Sequence, residues 1–264
     1  MQLHIYQVNA FTNRPFGGNP ACVVPLSEWL EDDLLLKIAQ ENAVAETAFF
    51  VDQGYKFQLR WFTPEMEMDL CGHATLAAAH AIKEIRKSTV KNVIFETRSG
   101  ELTVKKQGDL YILDLPSRRP TAATLPQLLA SSLNIQPREV LKARDYVLVY
   151  RDQKEVEEIV IDRTYFDLLE LGTGGVIVTA QGRDRDFVSR FFTPGASVFE
   201  DPVTGSAHCS LVPYWSEILQ KDELKARQIS ERGGELFCKQ KEERVEIAGY
   251  ARTYFIGKIF VEAD

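Results

Sequence analysis

RWFTPEMEMDLCGHATLAAAH at residues 60–80 has a counterpart in RFFTPGASVFEDPVTGSAHCSL at residues 190–211. Each stretch runs from an Arg-aromatic-Phe-Thr-Pro strand end, through an acidic segment, to a glycine that opens a helix rich in small residues. Arg60 and Arg190 lie 130 positions apart, nearly half of the 264-residue chain, and the segment from proline to the helix-opening glycine is three residues longer in the second copy. A shared order of features at so long a spacing denotes two related domains rather than a solenoid. Chance likeness of two short stretches is the alternative.

Around these stretches the chain reads as strands: residues 4–11, 21–25, 46–51, 56–63, 92–97, 102–106 and 110–115 in the first half, and 145–150, 175–179, 186–193 and 252–261 in the second. Ser99-Gly100 and Gly108-Asp109 supply hairpin turns. A helix is expected from Glu28 to Gln40 with Ser27 as its N-cap. The polar, proline-bearing run PSRRPTAATLP places the domain boundary near Pro116–Thr124, with domains at 1–117 and 118–264 and the last strand free to return to the first. From Gly72 to Ile82 the chain is almost wholly Ala, Thr, Leu and His, so this helix is expected to be buried all round. It is either a core helix under a sheet or one threaded through a curled sheet. Pro213, inside the second such helix, is expected to kink or break it and to orphan the Cys209 carbonyl.

At 45% hydrophobic and 26% charged residues, the composition is that of a soluble globular protein. No apolar run reaches the roughly 18–20 residues of a membrane helix, and MQLHIYQVNAF reads as a first strand rather than a signal peptide. Cys22, Cys71, Cys209 and Cys238 lack CxxC spacing, which suits reduced thiols in a cytoplasmic protein better than a disulfide frame or a zinc site. A net charge of −7 argues against nucleic acid or an anionic membrane as partner and leaves a small molecule. Nucleotide and metalloprotease motifs are absent, so neither a nucleotide nor a catalytic zinc is expected.

Helix N-termini present unpaired N–H groups and the positive end of the dipole. Gly72-His73 and Gly205-Ser206 are therefore candidates to hold a substrate carboxylate, against the plainer reading that glycines merely open tightly packed helices. Glu46, between AVA and TAFF, is the candidate to carry a proton. Asp201, His73 and His208 lie in or beside the repeat, and Cys71 before Gly72 is a candidate second acid–base group with a depressed pKa near a helix N-terminus. The turns GGN at residues 17–19, ending on Asn19, and RGG at 232–234 are weaker candidates for close approach to a ligand. Each of these residues singly has an ordinary structural role available to it: a surface strand start, a turn cap, a satisfied core histidine, inert packing.

FTNRPFGGNPACVV, AETAFF, FTP followed by CGHAT, and EDPVTGSAHCSL, in that order from Phe11 to about Leu211, resemble the PhzF-like phenazine-biosynthesis family. The resemblance implies the diaminopimelate-epimerase fold: an α+β protein of two similar domains, each a curled, mostly antiparallel sheet around a central helix, with the active site in the cleft between them. It implies an isomerase in which Glu46 shuttles a proton between carbons without a cofactor, and favours a homodimer. His73 matches the histidine that contacts substrate, Asp201 and Ser206 the aspartate and serine of the second domain, and Gly72 and Gly205 the helix-opening glycines. Related epimerases oppose two cysteines. Here Cys71 falls at the first of those positions, whereas DPVTGS places Pro202 at the second. The alternatives are an amino-acid epimerase or racemase using Glu46 and Cys71, and a non-catalytic metabolite-binding protein.

Overall fold

The two quoted stretches fold alike in the computed structural model of the chain, which describes residues 1–86 and 92–262. The strands of the first half are β1 (Gln2–Ala10), β2 (Asn19–Leu26), β3 (Glu46–Asp52), β4 (Phe57–Phe62), β5 (Glu67–Met68), β6 (Asn92–Thr97), β7 (Gly100–Gln107) and β8 (Leu110–Pro116). Its helices are α1 (Asp32–Asn42) and α2 (Gly72–Arg86). The second half carries β9 (Thr121–Ala122), β10 (Glu139–Lys142), β11 (Tyr146–Val149), β12 (Val176–Gln181), β13 (Phe187–Phe192), β14 (Glu200–Asp201), β15 (Glu223–Gln228), β16 (Gly234–Lys241), β17 (Arg244–Gly249) and β18 (Ala251–Phe260). Its helices are α3 (Gln127–Ser132), α4 (Gln153–Glu158), α5 (Arg163–Phe166) and α6 (Gly205–Leu219). The chain divides into one compact unit of Met1–Asp114 with Ile247–Asp264 and another of Leu115–Glu246.

In the first unit β1–β2 is antiparallel, β2–β3 parallel, β3–β4 and β4–β5 antiparallel, β4–β6 parallel and β6–β7 antiparallel. The second unit repeats that pattern strand for strand through β10–β11, β11–β12, β12–β13, β13–β14, β13–β15 and β15–β16. β18 returns to pair antiparallel with β1. Because α2 packs on β1, β2, β3, β7 and β18, strands from both ends of its unit's sheet close on it. Ala74, Leu76, Ala77, Ala78, Ala79, Ala81 and Ile82 are all buried. Alanine lets strands approach on every side, and a larger residue in such a core costs about 1–3 kcal/mol. A second layer, Leu35, Ile38 and Ala39 of α1 against Ile5, Val24, Phe49 and Phe62, covers the other face of the sheet. In the second unit Leu129, Val156 and Phe166, from α3, α4 and α5, do the same over Leu148, Val178 and Val188.

The duplicated strand ends are built on one device. Arg60 grips Glu67 with two hydrogen bonds (2.7 and 2.8 Å) and lies over Phe62, while Arg190 grips Glu200 (2.7 and 2.9 Å) and lies over Phe192. Such forked, charge-assisted pairs fix geometry as well as adding energy. They pin the short return strands β5 and β14, from which the chain enters α2 and α6.

Two local expectations are corrected. α1 begins at Asp32 rather than Glu28, and no side chain caps it. Trp29 instead donates to the Gln58 side chain at 2.8 Å and lies under Arg60, so this segment is spent on packing before the helix starts. α6 runs unbroken through Pro213. The Cys209 carbonyl, which Pro213 cannot serve, accepts instead from the Arg118 backbone amide at 2.8 Å. No helix among the described residues is long and apolar enough to cross a membrane.

Candidate active site

Glu46 opens β3 and Asn19 opens the neighbouring β2, where Ala21 stands directly opposite Glu46. Cys71, Gly72 and His73 form the entry to α2, whose axis brings them to the same end of the sheet. The result is a compact polar cluster inside the first unit. His73 Nε2 lies 2.9 Å from Glu46 Oε2, and Nδ1 of the same ring lies 3.1 Å from Asn19 Nδ2 and 3.5 Å from Cys71 Sγ. Asn19, Cys71 and His73 are buried, whereas the Glu46 side chain keeps 16% of its surface exposed. Glu46 is thus the member of the cluster that a solute reaches.

The close approach of Glu46 and His73 is an ion-pair contact without hydrogen-bond alignment, and Glu46 Oε2 and His73 Nε2 have no hydrogen-bond partner among the described residues. Buried polar atoms left in that state are costly and mark places where a further group is to be accommodated. Burial opposes a charge on His73, but its anionic neighbours outweigh it and hold the imidazole well above the usual histidine range. Of those neighbours Cys71 is itself pushed up to about 11, first by burial and then by the Glu46 charge. The thiol therefore keeps its proton near neutrality. The depressed thiol pKa expected from the helix N-terminus is overturned: desolvation of an enclosed sulfur outweighs the dipole. Asn19, expected to touch a ligand, is wholly buried with its amide on His73.

A neutral His73 accepts at Nδ1 from the Asn19 amide and carries its proton on Nε2, facing Glu46. In the imidazolium form Nδ1 becomes a donor, so the Asn19 amide must then present its oxygen. One carboxylate, Sγ and one ring nitrogen of Glu46, Cys71 and His73 lie within 4.8 Å of one another, and these donor types suit a zinc-like cation. The protonated thiol opposes that use.

In the second unit Asp201 lies on β14, and Thr204, Gly205 and Ser206 lead into α6. Thr204 Oγ1 donates to Asp201 Oδ2 at 2.5 Å. Ser206, half-buried, accepts from Arg144 Nη2 at 3.0 Å, and Arg144 is forked onto the enclosed Asp145. His208 is fully buried: Nδ1 meets the Thr204 carbonyl at 2.8 Å, and burial pulls its pKa down to about 4. It is a neutral core histidine. The helices align residue for residue from their glycines, so Thr204, not Pro202, stands where Cys71 stands in the first unit. Arg144, Asp145, Thr204 and Gln228 were not singled out from the sequence. Thr204 lay in view inside DPVTGS, but the others carry no local signal of the partners they meet.

Residues 8–257 match the family described as "Phenazine biosynthesis-like protein". An uncharacterized isomerase of Pseudomonas aeruginosa is 46% identical over 259 residues, 98% of this chain and 99% of the relative. The crystal structure of a phenazine biosynthesis PhzF-family protein from Enterococcus faecalis is 42% identical and superposes with a TM-score of 0.93 over 99% of this chain and 100% of that one. A hydroxyproline epimerase from Agrobacterium vitis, 11% identical with a TM-score of 0.66 over 98% of this chain and 92% of that one, shares the fold.

Proposed function

The chain belongs to the phenazine biosynthesis-like family and is an isomerase, and from that premise we propose that it moves a proton between carbons of a small carboxylate-bearing metabolite, with Glu46 as acid and base. The observation that carries this reading is the placing of a partly exposed Glu46 against an enclosed His73, 2.9 Å apart. In the first step a substrate C–H bond breaks, its proton passes to the Glu46 carboxylate, and the electron pair delocalises over the adjoining unsaturated system. In the second, Glu46 returns the same proton to another carbon. Atoms and electrons balance with no oxidant, metal or organic cofactor. His73, charged and fixed by Asn19, stabilises negative charge beside it without reorganisation.

The backbone amides at Gly72-His73 and Gly205-Ser206 are proposed to bind substrate carboxylate groups, with Asp201 and Ser206 touching the substrate. The high value of the Cys71 thiol weighs against a second base at that position. Four free, buried cysteines fit a reducing, cytoplasmic setting. Tyr254, Phe255, Ile256 and Phe260, all exposed along β18, support a homodimer, which light scattering at defined concentration measures.

Candidate carboxylates incubated with enzyme in D₂O test the chemistry. Wild-type protein is expected to incorporate deuterium at carbon, and Glu46→Gln is expected to bind the same compound and exchange it far more slowly. Equal exchange by both proteins removes Glu46 from the mechanism.

A further inference from the structure

Asp201 is surrounded by a hydrogen-bond chain whose direction can be worked out from one fixed end. Gln228, on β15, is fully buried. The Thr204 backbone N–H donates to its side chain at 2.8 Å, and since an N–H can only donate, the atom it faces is the amide oxygen. The amide nitrogen therefore faces the other way, donating to the Asp201 carbonyl at 2.7 Å and to Thr204 Oγ1 at 3.2 Å. Thr204 Oγ1, already an acceptor from Gln228, has its own proton left to give. The acceptor recorded for it among the described residues is Asp201 Oδ2, at 2.5 Å.

The duplication shows that this arrangement is particular to the second unit. Gln228 pairs with Ser189 on β13, as the strand register would pair Thr97 with Leu59 in the first unit. Thr97 instead donates to Gly100 across its own hairpin and does not reach the segment entering α2. The residue that stands where Asp201 stands is Met68, which carries no charge to be held. The segment 201–204 is further pinned by Ser230, whose hydroxyl donates to the Pro202 carbonyl at 2.7 Å. Glu200 beside it is committed to Arg190.

We infer that Gln228 is a positioning residue: it sets the direction of the Thr204–Asp201 hydrogen bond, with Thr204 as donor, so that Asp201 meets the substrate as an aimed, ionised carboxylate. This rests on the proposed contact of Asp201 with the substrate. Gln228 touches no substrate and acts only through Thr204 and the Asp201 backbone.

Neutron diffraction from deuterium-exchanged crystals of the full chain at neutral pH reads the direction without turnover. A deuteron on Thr204 Oγ1 along the line to Asp201 is expected, and a deuteron on the Asp201 carboxyl would overturn the inference. Kinetics supply the second arm. Gln228→Glu keeps an acceptor for the Thr204 amide but cannot donate, and draws the hydroxyl proton to itself. It and Thr204→Val are expected to lower kcat for deuterium exchange by about 10–100-fold, the cost of a misplaced group, with KM within about threefold, while Thr204→Ser retains wild-type kcat. Wild-type kcat in Thr204→Val would equally overturn it. Asp201→Asn that exchanges normally would instead strike at the proposed contact of Asp201 with the substrate, leaving the neutron result to stand on its own.

Discussion

The two units share a scaffold and differ in where they keep a carboxylate. Opposite the duplicated strand ends, Thr47 pairs with Phe62 and Val176 with Phe192, so the residues just before them, Glu46 and Gly175, are counterparts. One strand over, Ala21 faces Glu46, and continuing the β11–β12 register puts Asp145 opposite Gly175. Acid and small residue have thus changed places. In the first unit the acid is partly exposed and lies against a histidine. In the second it is only 1% exposed, accepts from the Gly175 amide at 2.9 Å and is gripped by Arg144. The two carboxylates thus stand on neighbouring strands of the shared scaffold, one left partly exposed beside a histidine and the other locked into the structure. What separates them is whether the carboxylate's acceptor capacity is already taken up by donors.

The largest effect is expected from the two acids. Glu46→Gln preserves shape but cannot carry a proton, so deuterium exchange should fall by about 10²–10⁴-fold, the usual worth of a general base. Asp145→Ala should reverse the profile. It strands the Arg144 guanidinium and the Gly175 amide and should cost about 2–3 kcal/mol in denaturant unfolding, while the chemical step on folded protein is retained. If both variants lost exchange without losing stability, the division of labour between the units would be wrong.

Next in size is Gly175→Ala. A methyl group there would stand 2.4 Å from the Phe191 ring and 2.7 Å from the Phe192 carbonyl oxygen, so backbone must shift. The cost should be about 1–3 kcal/mol, as for an overpacked core. A Gly175→Ala protein as stable as wild type would show that the glycine is not what frees this position of its acid.

The contrast between the units was only partly legible in the sequence. The strand ends, the helix-opening glycines and the all-small helix followed from pattern alone, because a helix with no polar face can only be enclosed. Glu46 and His73 stood out because each is a titratable group set in an apolar run. The partners of the second unit did not. Arg144 next to Asp145 looks like an ordinary surface pair, and Gln228 ends a strand whose Glu223, Lys225 and Arg227 mask its alternation of buried Leu224 and Ala226. The Cys71 direction was misread because two opposing effects act on the thiol, and only the depth of burial decides between them.

His73 and His208, in the first turns of α2 and α6, should respond oppositely to pH. His208, at about 4 when folded, lies below the roughly 6.5 of an unfolded histidine. Its contribution is full above that value and is lost as pH falls from 6.5 toward 4, because only the unfolded chain takes up the proton. His73, raised by the neighbouring Cys71 and Glu46, contributes fully below about 6.5 and loses that contribution as pH rises through its folded value. Nitrogen NMR at pH 7 should find His73 doubly protonated and His208 neutral with its proton on Nδ1, directed at the Thr204 carbonyl. In unfolding titrations His208→Phe should flatten the acid slope and Glu46→Gln the alkaline one. Two histidines titrating together near 6.5 would erase the distinction.

The smallest effect is expected at the position where the units carry a thiol and a hydroxyl, Cys71 and Thr204. A base must be deprotonated to act, and with a thiol pushed up to about 11 the thiolate at pH 7 amounts to about one part in 10⁴. Its other role is packing against His73 Nδ1 at 3.5 Å, a weak contact for sulfur. Cys71→Ala should therefore retain deuterium exchange within about fivefold and, by removing a fully enclosed sulfur, lower stability by about 1 kcal/mol. Iodoacetamide should react slowly with the native protein at this site for the same two reasons, protonation and burial. A loss of exchange in Cys71→Ala comparable to that of Glu46→Gln would make the thiol a working base opposite Glu46. The chemistry would then be two-base epimerisation rather than a proton returned by the group that removed it.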